Sequence, residues 1–386
     1  MKKVRLGDIA TVITKGTTPT TLGYNFVDDG VNFVKIESIT ENGEFLTDKF
    51  AHITDECDRK LSRSQLQRND LLFSIAGAIG RTAIVTEEIL PANTNQALAI
   101  IRVPEGVIDY SYLKYVLQSP GIVEQFEKKK QGVAQLNISL KDIGDFVIPL
   151  CTEEEQKTVV STLDKVSELI ALRKEQFAKL DQLVKSRFAE LFDDGESPIK
   201  TVEELCSAIV DCPHTTPKYE GELKNPAIRT TEIKKGYIAW ETMRYVSDEE
   251  YEERTARLKP EMGDIVYGRE GTFGNAAILP KGYNFCLGQR VMLLRPDYSK
   301  CTSEYLLYAV ISDDVYRQAV GKNNASTVAH VNVKDVKQFK IPLPSFDKQN
   351  QFAAFVEQTD KSKLAIQQSL DKLELLKKSL MQEYFG

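Results

Sequence analysis

The most constraining feature of this sequence is that its first half is repeated in its second half. Residues 69–85 return as residues 263–279, with an aspartate, an apolar run and two glycines in the same order. The offset between Asp70 and Asp264 is 194 residues, far longer than the roughly 20–50 residues of solenoid repeats. We therefore predict a duplicated domain. Further matched positions are Gln96 and Gln289, Tyr112-Leu113 and Tyr305-Leu306, Lys141-Asp142 and Lys334-Asp335, and Ile148-Pro149-Leu150 and Ile341-Pro342-Leu343.

The composition is typical of a soluble globular protein. The 386 residues suffice for two domains, and 42% of them are apolar and 27% charged. No apolar run approaches the roughly 18 residues of a membrane span, so we expect a cytoplasmic protein without a membrane partner. The net charge of −6 is a mild argument against a nucleic-acid partner, because phosphate contacts favour a basic surface. Local patches matter more than this sum.

The order of elements predicts an α+β protein, in which two similar mixed α/β domains are joined by two long helices. We place the domains at residues 1–150 and 197–345, and the long helical segments at 151–196 and 346–386. Short apolar runs bounded by Gly, Asn and Pro are typical of strands, and shorter helices begin at Ser111 and Ser303. The clearest predicted strands are Val31–Ile36, Asp70–Ile75, Thr82–Val85, Ala97–Val103, Ile265–Tyr267 and Val291–Leu294.

Each half ends in a long helix with a heptad pattern. Glu153 to Phe192 contains neither Gly nor Pro, and its apolar residues follow one another at spacings of four and three, interrupted only by Arg173 and Arg187. Phe352 to Phe385 repeats the pattern. A seam sustained over about five heptads predicts a coiled coil, and a helix of about 40 residues is ~60 Å long.

The simplest arrangement packs these two seams on each other as an antiparallel coiled coil. Since a whole domain separates the helices along the chain, such a pair would place one domain at each end of a rod, related by a pseudo-two-fold. The alternatives are that each helix packs on its own domain, or that it pairs with a helix of another chain.

Motifs of common enzyme classes are missing from the sequence. Residues 77–82 lack the spacing and the lysine of a phosphate-binding loop, and residues 268–274 lack the glycine intervals of a dinucleotide fingerprint. No nucleophile elbow occurs. The three histidines and six cysteines do not occupy equivalent places in the two halves. We therefore predict no catalytic residue, no cofactor and no metal ligand.

Polar loops recur at matching places and form the candidate binding surface. The Gly-x-x-Gly hairpin is kept while its other residues differ, which suggests a fixed loop frame with variable tips. Arginine suits guanine or phosphate, and amides suit adenine. The candidate DNA-contacting residues of the first half are Lys15, Thr17, Thr18, Ser74, Arg81, Asn93, Asn95, Gln96, Lys130 and Gln135. Those of the second half are His214, Thr215, Thr216, Lys218, Arg269, Asn275, Gln289, Arg290, Lys322 and Asn323.

Each of these loops also has a structural interpretation. The Thr-Thr-Pro segments are compatible with simple turns, and Arg81 and Arg269 with solvated side chains. The amides of residues 93–96 are compatible with a closed strand end. The lysines of residues 128–130 suit a helix C-terminus.

In combination, these motifs resemble the specificity subunit of type I restriction–modification systems. The likeness covers almost the whole chain and occurs in both halves. Each motif alone is a weak signal, but the order and duplication of the motifs are specific. Either Gln349 or Gln351 is the counterpart of Gln156. The motifs are Val4–Ala10 with Gly16–Pro19, the aspartate-led strand with its Gly-x-x-Gly turn, Asn137–Leu150 with Glu155-Gln156, and the second copy at Val331–Leu343.

The resemblance implies a division of labour among subunits. Each globular domain would be a target recognition domain that reads one half of a bipartite site in double-stranded DNA, and the paired helices would be the spacer between them. Two methyltransferase modification subunits would dock on the chain and modify adenine with S-adenosylmethionine. A restriction (motor-nuclease) subunit is an optional further partner. The chain itself would be non-catalytic.

Two other functions stay open at this point. A coiled-coil scaffold would use its two end domains to bind proteins rather than DNA. A DNA-modifying enzyme would act on its own, and the missing motifs argue against it. The recognised bases, the spacer length and the oligomeric state do not follow from the sequence.

Overall fold

A computed structural model of the chain describes residues 2–128, 137–193, 195–220, 224–271, 274–321 and 331–386. These residues form two compact units. Unit 1 comprises Met1–Lys174 and Gln368–Gly386, and unit 2 comprises Glu175–Gln367. Both divisions between the units fall inside the long helices, so each unit holds one globular part and a piece of each long helix. The segment boundaries drawn from the sequence stay a prediction. Within the described ranges, no helix has the length and apolar character to cross a membrane.

Unit 1 contains most of the strands and the short helix that the sequence predicts. Its strands are β1 (Lys2–Arg5), β2 (Val12–Lys15), β3 (Val31–Val34), β4 (Ala51–Ile53), β5 (Leu71–Ser74), β6 (Thr82–Ile84), β7 (Ala92–Thr94), β8 (Leu98–Arg102) and β9 (Val147–Leu150). Its helices are α1 (Leu6–Ile9), α2 (Asp55–Lys60), α3 (Tyr110–Leu117), α4 (Pro120–Glu127), α5 (Leu140–Gly144) and the first part of α6 (Glu153–Phe192). Sequence reasoning missed β1, β2, β4, β7 and β9, none of which is longer than four residues.

The core of unit 1 is organised around an antiparallel sheet in the order β2-β8-β5-β6. Leu71 and Phe73 of β5 pack on the helical side of this sheet. Leu72 packs on the opposite side, against the three-stranded sheet β4-β3-β7. Because both faces are covered, β5 is a continuous apolar run rather than an alternating one. The pair β1–β9 closes the unit ahead of α6.

Unit 2 repeats this architecture. Its central sheet has the order β11-β17-β14-β15, beside the sheet β13-β12-β16 and the pair β10–β18. The strands are β10 (Ile199–Thr201), β11 (Cys206–Asp211), β12 (Asn225–Ile228), β13 (Arg244–Val246), β14 (Ile265–Gly268), β15 (Ala276–Ile278), β16 (Cys286–Leu287), β17 (Val291–Pro296) and β18 (Lys340–Pro342). The helices are α7 (Val202–Leu205), α8 (Asp248–Arg254), α9 (Ser303–Val310), α10 (Asp313–Gly321), α11 (Val333–Lys337) and the first part of α12 (Phe346–Phe385).

The pieces of α6 and α12 pair within each unit. In unit 1, Leu163 of α6 and Phe385 of α12 belong to one core, and Lys174 forms an ion pair with Glu374 at 3.3 Å. From Leu163 to Lys174 the residue number rises along α6, while that of the contacted residues on α12 falls from Phe385 to Glu374. The two helices therefore run antiparallel in this unit.

Unit 2 pairs its helical pieces in the same sense. The rings of Phe188 and Phe352 lie 5.4 Å apart, and Lys363 Nζ lies 2.5 Å from Asp181 Oδ1. The predicted antiparallel pairing is thus confirmed inside each unit. Phe188 of α6 also stacks on Tyr305 of α9, so this end of α6 packs on the globular part of unit 2 as well as on α12.

An arginine–aspartate pair is found twice at one end of the central sheet. Arg102 binds the buried Asp70 through Nε–Oδ1 at 2.6 Å and Nη2–Oδ2 at 2.7 Å. Arg295 binds Asp264 in the same bidentate way, at 2.9 and 2.8 Å. In both units the aspartate also accepts a backbone N–H from the preceding turn. The pair therefore fixes the start of the central strand to the end of its neighbour.

A buried glutamine joins the head of each long helix to the globular part. Gln156 Oε1 accepts the backbone N–H of Asp109 at 2.8 Å, and Gln349 Oε1 accepts that of Thr302 at 2.9 Å. Asp109 is the N-cap residue of α3, and Thr302 is the N-cap residue of α9. Gln349 is fully buried, whereas Gln351 is exposed. Gln349 is therefore the counterpart of Gln156.

Replacing Arg102 should destabilise the protein much more than replacing an arginine in an exposed pair. We expect Arg102→Ala to lower the free energy of unfolding by about 3 kcal/mol, because it leaves the Asp70 carboxylate buried without its cation. Arg5→Ala, which breaks an exposed pair with Asp145, should cost no more than about 1 kcal/mol. Urea denaturation measures both. Equal losses would show that the buried pair has no special structural role.

The two glutamines of α12 give a second, internally controlled prediction. Gln349→Leu should lower the free energy of unfolding by about 1–3 kcal/mol, because the Thr302 N–H is then buried without an acceptor. Gln351→Leu should change it by less than about 0.5 kcal/mol. The comparison uses the same substitution on one helix, measured by thermal or urea unfolding. A larger loss for Gln351→Leu would contradict the assignment.

Candidate nucleic-acid interface

In unit 1, three of the predicted polar loops leave the central sheet at the same end. β2 ends at Lys15, which lies opposite Ala99 near the start of β8. β5 ends at Ser74, opposite Leu98, and the β5–β6 hairpin turns at the same place. We call this end of the sheet the loop edge. In unit 1 it consists of residues 15–18, 75–81 and 95–97.

Unit 2 has the same loop edge. β11 ends at Asp211, opposite Met292, and β14 ends at Gly268, opposite Val291. Its described residues are 211–218, 269–271, 274–275 and 288–290. Loops that are far apart in the sequence are therefore brought together in both units by strand register, and the arginine–aspartate pairs lie at the other end of each sheet.

One side-chain hydrogen bond joins the first and third loops in both units. Thr18 Oγ1 donates to Gln96 Oε1 in unit 1. Gln289 Nε2 donates to Thr216 Oγ1 at 2.9 Å in unit 2. The first loop of unit 1 also approaches the end of β7 and the third loop closely through its backbone, because a Cβ added at Gly16 would lie 1.8 Å from Thr94 O and 2.7 Å from Asn95 O. Four of the predicted contact residues are thus paired within the loop edge.

Arg81 and Asn275 occupy equivalent hairpin positions and make equivalent internal contacts. Arg81 Nη1 donates to the carbonyl of Ile39 at 2.7 Å, and Asn275 Nδ2 donates to that of Ile233 at 3.2 Å. Each contact ties the hairpin to the segment that follows β3 or β12. These side chains support the loop, and Arg81 is not simply solvated. Whether they also contact DNA stays a prediction.

Three further candidates of unit 1 are engaged in the same way. Asn93 is fully buried, and its amide donates to Asp58 at 2.8 Å. Ser74 Oγ donates to the carbonyl two residues ahead at 2.9 Å, and Asn95 Oδ1 accepts the N–H two residues ahead at 3.1 Å. Asn95 thereby supports the turn between β7 and β8, whereas Asn93 ties β7 to α2.

The other described candidates lie at the surface of the loop edge, apart from Arg269. The exposed ones are Lys15, Gln96, His214, Thr215, Thr216, Lys218 and Arg290, and the half-buried ones are Thr17, Thr18 and Gln289. Lys130, Gln135, Lys322 and Asn323 lie outside the described residues. Ile138 and Val331, which come just after residues 129–136 and 322–330, also lie at this edge. Ile138 N–H donates to Ile75 O at 3.2 Å, and Val331 N–H donates to Arg269 O at 3.0 Å.

Sequence reasoning missed Arg229, which follows β12 at the loop edge of unit 2. Gly288 N–H donates to the carbonyl of Ile228 at 2.7 Å, which places Arg229 beside the third loop. The guanidinium binds the buried Glu232 through Nε at 3.0 Å and Nη2 at 2.5 Å. Burial raises the pKa of Glu232, but hydrogen bonds from Arg229 and two threonines outweigh it and hold that pKa below its usual range. Only the short spacing of opposite charges hints at this pair.

Arg254 of α8 is a second residue that sequence reasoning missed. It is 7% exposed, and its Nε donates to the carbonyl of Leu287 at 3.0 Å. Nη2 donates to the carbonyl of Thr215 at 3.3 Å, and Nη1 to Glu250 at the same distance. The buried Arg254 side chain thereby joins the first loop of unit 2 to β16, the strand that precedes the third loop. The four-residue spacing of Glu250 and Arg254 on a helix is the signal that points to the pair.

Four charged residues lie side by side at the loop edge of unit 2. Arg269 is 5% exposed, and its Nη2 lies 2.8 Å from Asp211 Oδ1, so it is not a solvated arginine. The Arg290 side chain is 61% exposed, and its Nε lies 2.9 Å from Glu270 Oε2. We call these four residues the charge quartet. All four line a cleft of about 730 Å³.

The side chains of the loop edge are suited to hydrogen bonding with an extended polar ligand. Hydroxyls, amides, lysines and arginines are the groups that contact base edges and phosphate oxygens. Across the described ranges, no three His, Cys, Asp or Glu side chains are grouped so that they could hold a metal ion.

The chain matches a family model described as the type I restriction modification DNA specificity domain, over residues 1–182 and 216–375. It is 32% identical over 142 residues to the EcoBI type I restriction enzyme specificity subunit of Escherichia coli, which covers 36% of this chain and 29% of that protein. It is 26% identical over 221 residues to the MjaX specificity subunit of Methanocaldococcus jannaschii, with 54% of this chain and 50% of that protein covered. The alignments thus span half or less of the length of these relatives.

Two solved structures share the fold over the whole chain. One comes from work on complex assembly and conformational transition of the type I R-M system, with a TM-score of 0.61, 18% identity, and 100% and 97% of the two chains covered. The other is the S subunit of the type I restriction–modification system from M. genitalium, with a TM-score of 0.53, 15% identity, and 100% and 96% covered. Because the family model matches most of the sequence in two copies, the chain belongs to the type I restriction–modification DNA specificity family.

Proposed function

We propose that this chain is the DNA-recognition subunit of a type I restriction–modification complex and reads a bipartite site. The observation that carries the proposal is the duplicated loop edge. Both units present the same three loops on one end of one sheet, and in each a threonine–glutamine hydrogen bond joins the first loop to the third. Two such edges suit two segments of one double-stranded DNA. Since most of their exposed side chains differ, the two half-sites should differ in sequence.

The described candidates divide into two roles in this proposal. The surface residues Lys15, Thr17, Thr18, Gln96, His214, Thr215, Thr216, Lys218, Gln289 and Arg290 contact base edges and phosphates. The engaged residues Ser74, Arg81, Asn93, Asn95, Arg269 and Asn275 hold the loops in place. Lys130, Gln135, Lys322 and Asn323 stay proposed contacts on the sequence alone.

Other subunits supply the chemistry in this proposal. Two methyltransferase subunits dock on the chain, bind S-adenosylmethionine and modify adenine, and a motor-nuclease subunit joins for cleavage. The net charge of −6 fits this division, because subunits around the DNA can contribute the cations that phosphate binding needs.

Independent reading by the two units gives the first test. We expect Gln96→Ala to relax the base preference in one half-site and Gln289→Ala to relax it in the other, each by about ten- to a hundredfold at the affected position, as for loss of a bidentate amide contact. Methylation profiling of host DNA with and without the chain reveals the site. Gln67→Ala, an exposed glutamine before β5, is the matched control. Loss at both half-sites from either single change would contradict independent units.

The same profiling distinguishes the proposal from a protein-binding scaffold. If the methyltransferase subunits still assemble with the chain but methylation shows no dependence on a bipartite sequence, the scaffold function is correct. If the purified chain alone transfers methyl groups, recognition is not its sole role.

A spacer role for α6 and α12 gives a separate prediction. Inserting seven residues after Lys174 and seven after Gln367 keeps the heptad seam in phase and lengthens each helix by ~10 Å. At roughly 3.4 Å per base pair, the gap between the half-sites should grow by about three base pairs. Insertion into one helix alone is the control and should impair assembly. An unchanged gap after the double insertion would refute the spacer role.

A further inference from the structure

The charge quartet stands on a backbone that unit 1 also has. In unit 2, Arg269 N–H donates to Arg290 O at 2.9 Å. In unit 1, Ile75 N–H donates to Ala97 O at 2.9 Å. Ile75 O accepts the backbone N–H of Ile138, and Arg269 O accepts that of Val331. Arg269 and Arg290 therefore occupy the positions of Ile75 and Ala97.

The fold does not require these charges. Glu270 follows Arg269 as Ala76 follows Ile75, and unit 1 builds the same loop edge with three apolar residues. A buried ion pair seldom adds stability over an apolar residue of similar size, because both charges lose their hydration. The quartet is thus a feature of the surface of unit 2 that folding alone does not explain.

Within the described residues, Arg269, the buried arginine of the charge quartet, also has a hydrogen-bond donor without an acceptor. Arg269 is 5% exposed and faces Asp211 through Nη2. Its Nε has no hydrogen-bond partner in the described part of the chain. A buried donor without an acceptor is unfavourable, which again separates this site from the matching Ile75.

The exposed half of the quartet presents an oriented arginine. Arg290 has a φ of 66°, and the only other non-glycine residue with positive φ in the described ranges is Asn69. Such a backbone is unfavourable for a long side chain. Glu270 Oε2 lies 2.9 Å from its Nε, and 61% of the Arg290 side chain is exposed. A planar pair of donors matches the O6 and N7 acceptors of guanine in the major groove.

We infer that Arg290 is a specificity-determining residue that reads a guanine in the half-site of unit 2, and that Glu270 positions it. The inference rests on the proposed function and names one base contact within it. Unit 1, with Ala97 and Ala76 at the matching positions, lacks this contact and reads its half-site with other side chains.

The experiment compares methylated motifs in cells that express the partner subunits with variants of the full chain. Arg290→Gly removes the side chain and tolerates the positive φ. Arg290→Lys keeps the charge but loses the planar fork. Glu270→Gln weakens the positioning contact. Lys281→Gly, an exposed cation beyond β15 at the other end of the sheet, is the matched control.

We expect both Arg290 variants to lose about ten- to a hundredfold of the preference for guanine at one position of one half-site. Glu270→Gln should lose a smaller part at the same position, and Lys281→Gly none. The other half-site stays unchanged in every variant, which shows that the chain is folded and assembled.

Three results overturn the inference. If the wild-type motif persists in Arg290→Gly, the residue reads no base. If Arg290→Gly weakens methylation without altering the motif, the contact is to phosphate, whose loss lowers affinity for all sequences alike. If the wild-type chain directs no sequence-dependent methylation, the proposed function fails and the inference fails with it, whereas the first two results leave the proposed function standing.

Discussion

The structure of each unit depends on the buried glutamine at the head of its long helix. The Gln156 side chain accepts the N–H of the N-cap residue of α3, and the Gln349 side chain accepts that of the N-cap residue of α9. Each glutamine also donates to a carbonyl just ahead of its own helix, at 2.9 and 3.0 Å. Because the side chain is buried, rotation of the long helix would leave these groups without partners. The contact thus fixes the azimuth of the helix, and with it which face enters the core.

That fixed azimuth explains why the heptad pattern can be read from the sequence. Leu163 enters the core of unit 1 and Val184 that of unit 2, both fully buried, because the seam faces inward from the first turn on. The run from Glu153 to Phe192 that lacks Gly and Pro coincides with α6, inside the predicted segment 151–196. α12 begins at Phe346, six residues before the heptad run that starts at Phe352. Its first turn is polar apart from Phe346, so apolar periodicity does not reveal it, although Pro344 marks where a helix becomes possible.

The fold class and most central strands follow from the sequence, whereas the roles of the loop residues do not. Apolar runs such as Leu71–Ser74 are buried on both faces and therefore leave a strong local pattern. A polar residue in a loop carries no such pattern, because its direction is decided by partners distant in sequence. Arg81 and Asn275 are the clearest example. Two different side chains at one position reach the carbonyl of equivalent isoleucines, a relation that appears only once the strand register is known.

The two ends of each central sheet are under different constraints. At one end both units keep the same bidentate arginine–aspartate pair, since the fold loses a buried contact if either partner changes. At the loop edge the backbone hydrogen bonds are kept, but Ile75 in one unit corresponds to the buried, ion-paired Arg269 in the other. Duplication exposes this difference, because one unit serves as the control for the other. Side chains kept in both units mark what folding needs, and side chains that differ on the same backbone hydrogen bonds mark the surface at which, under the proposed function, the two units read different half-sites.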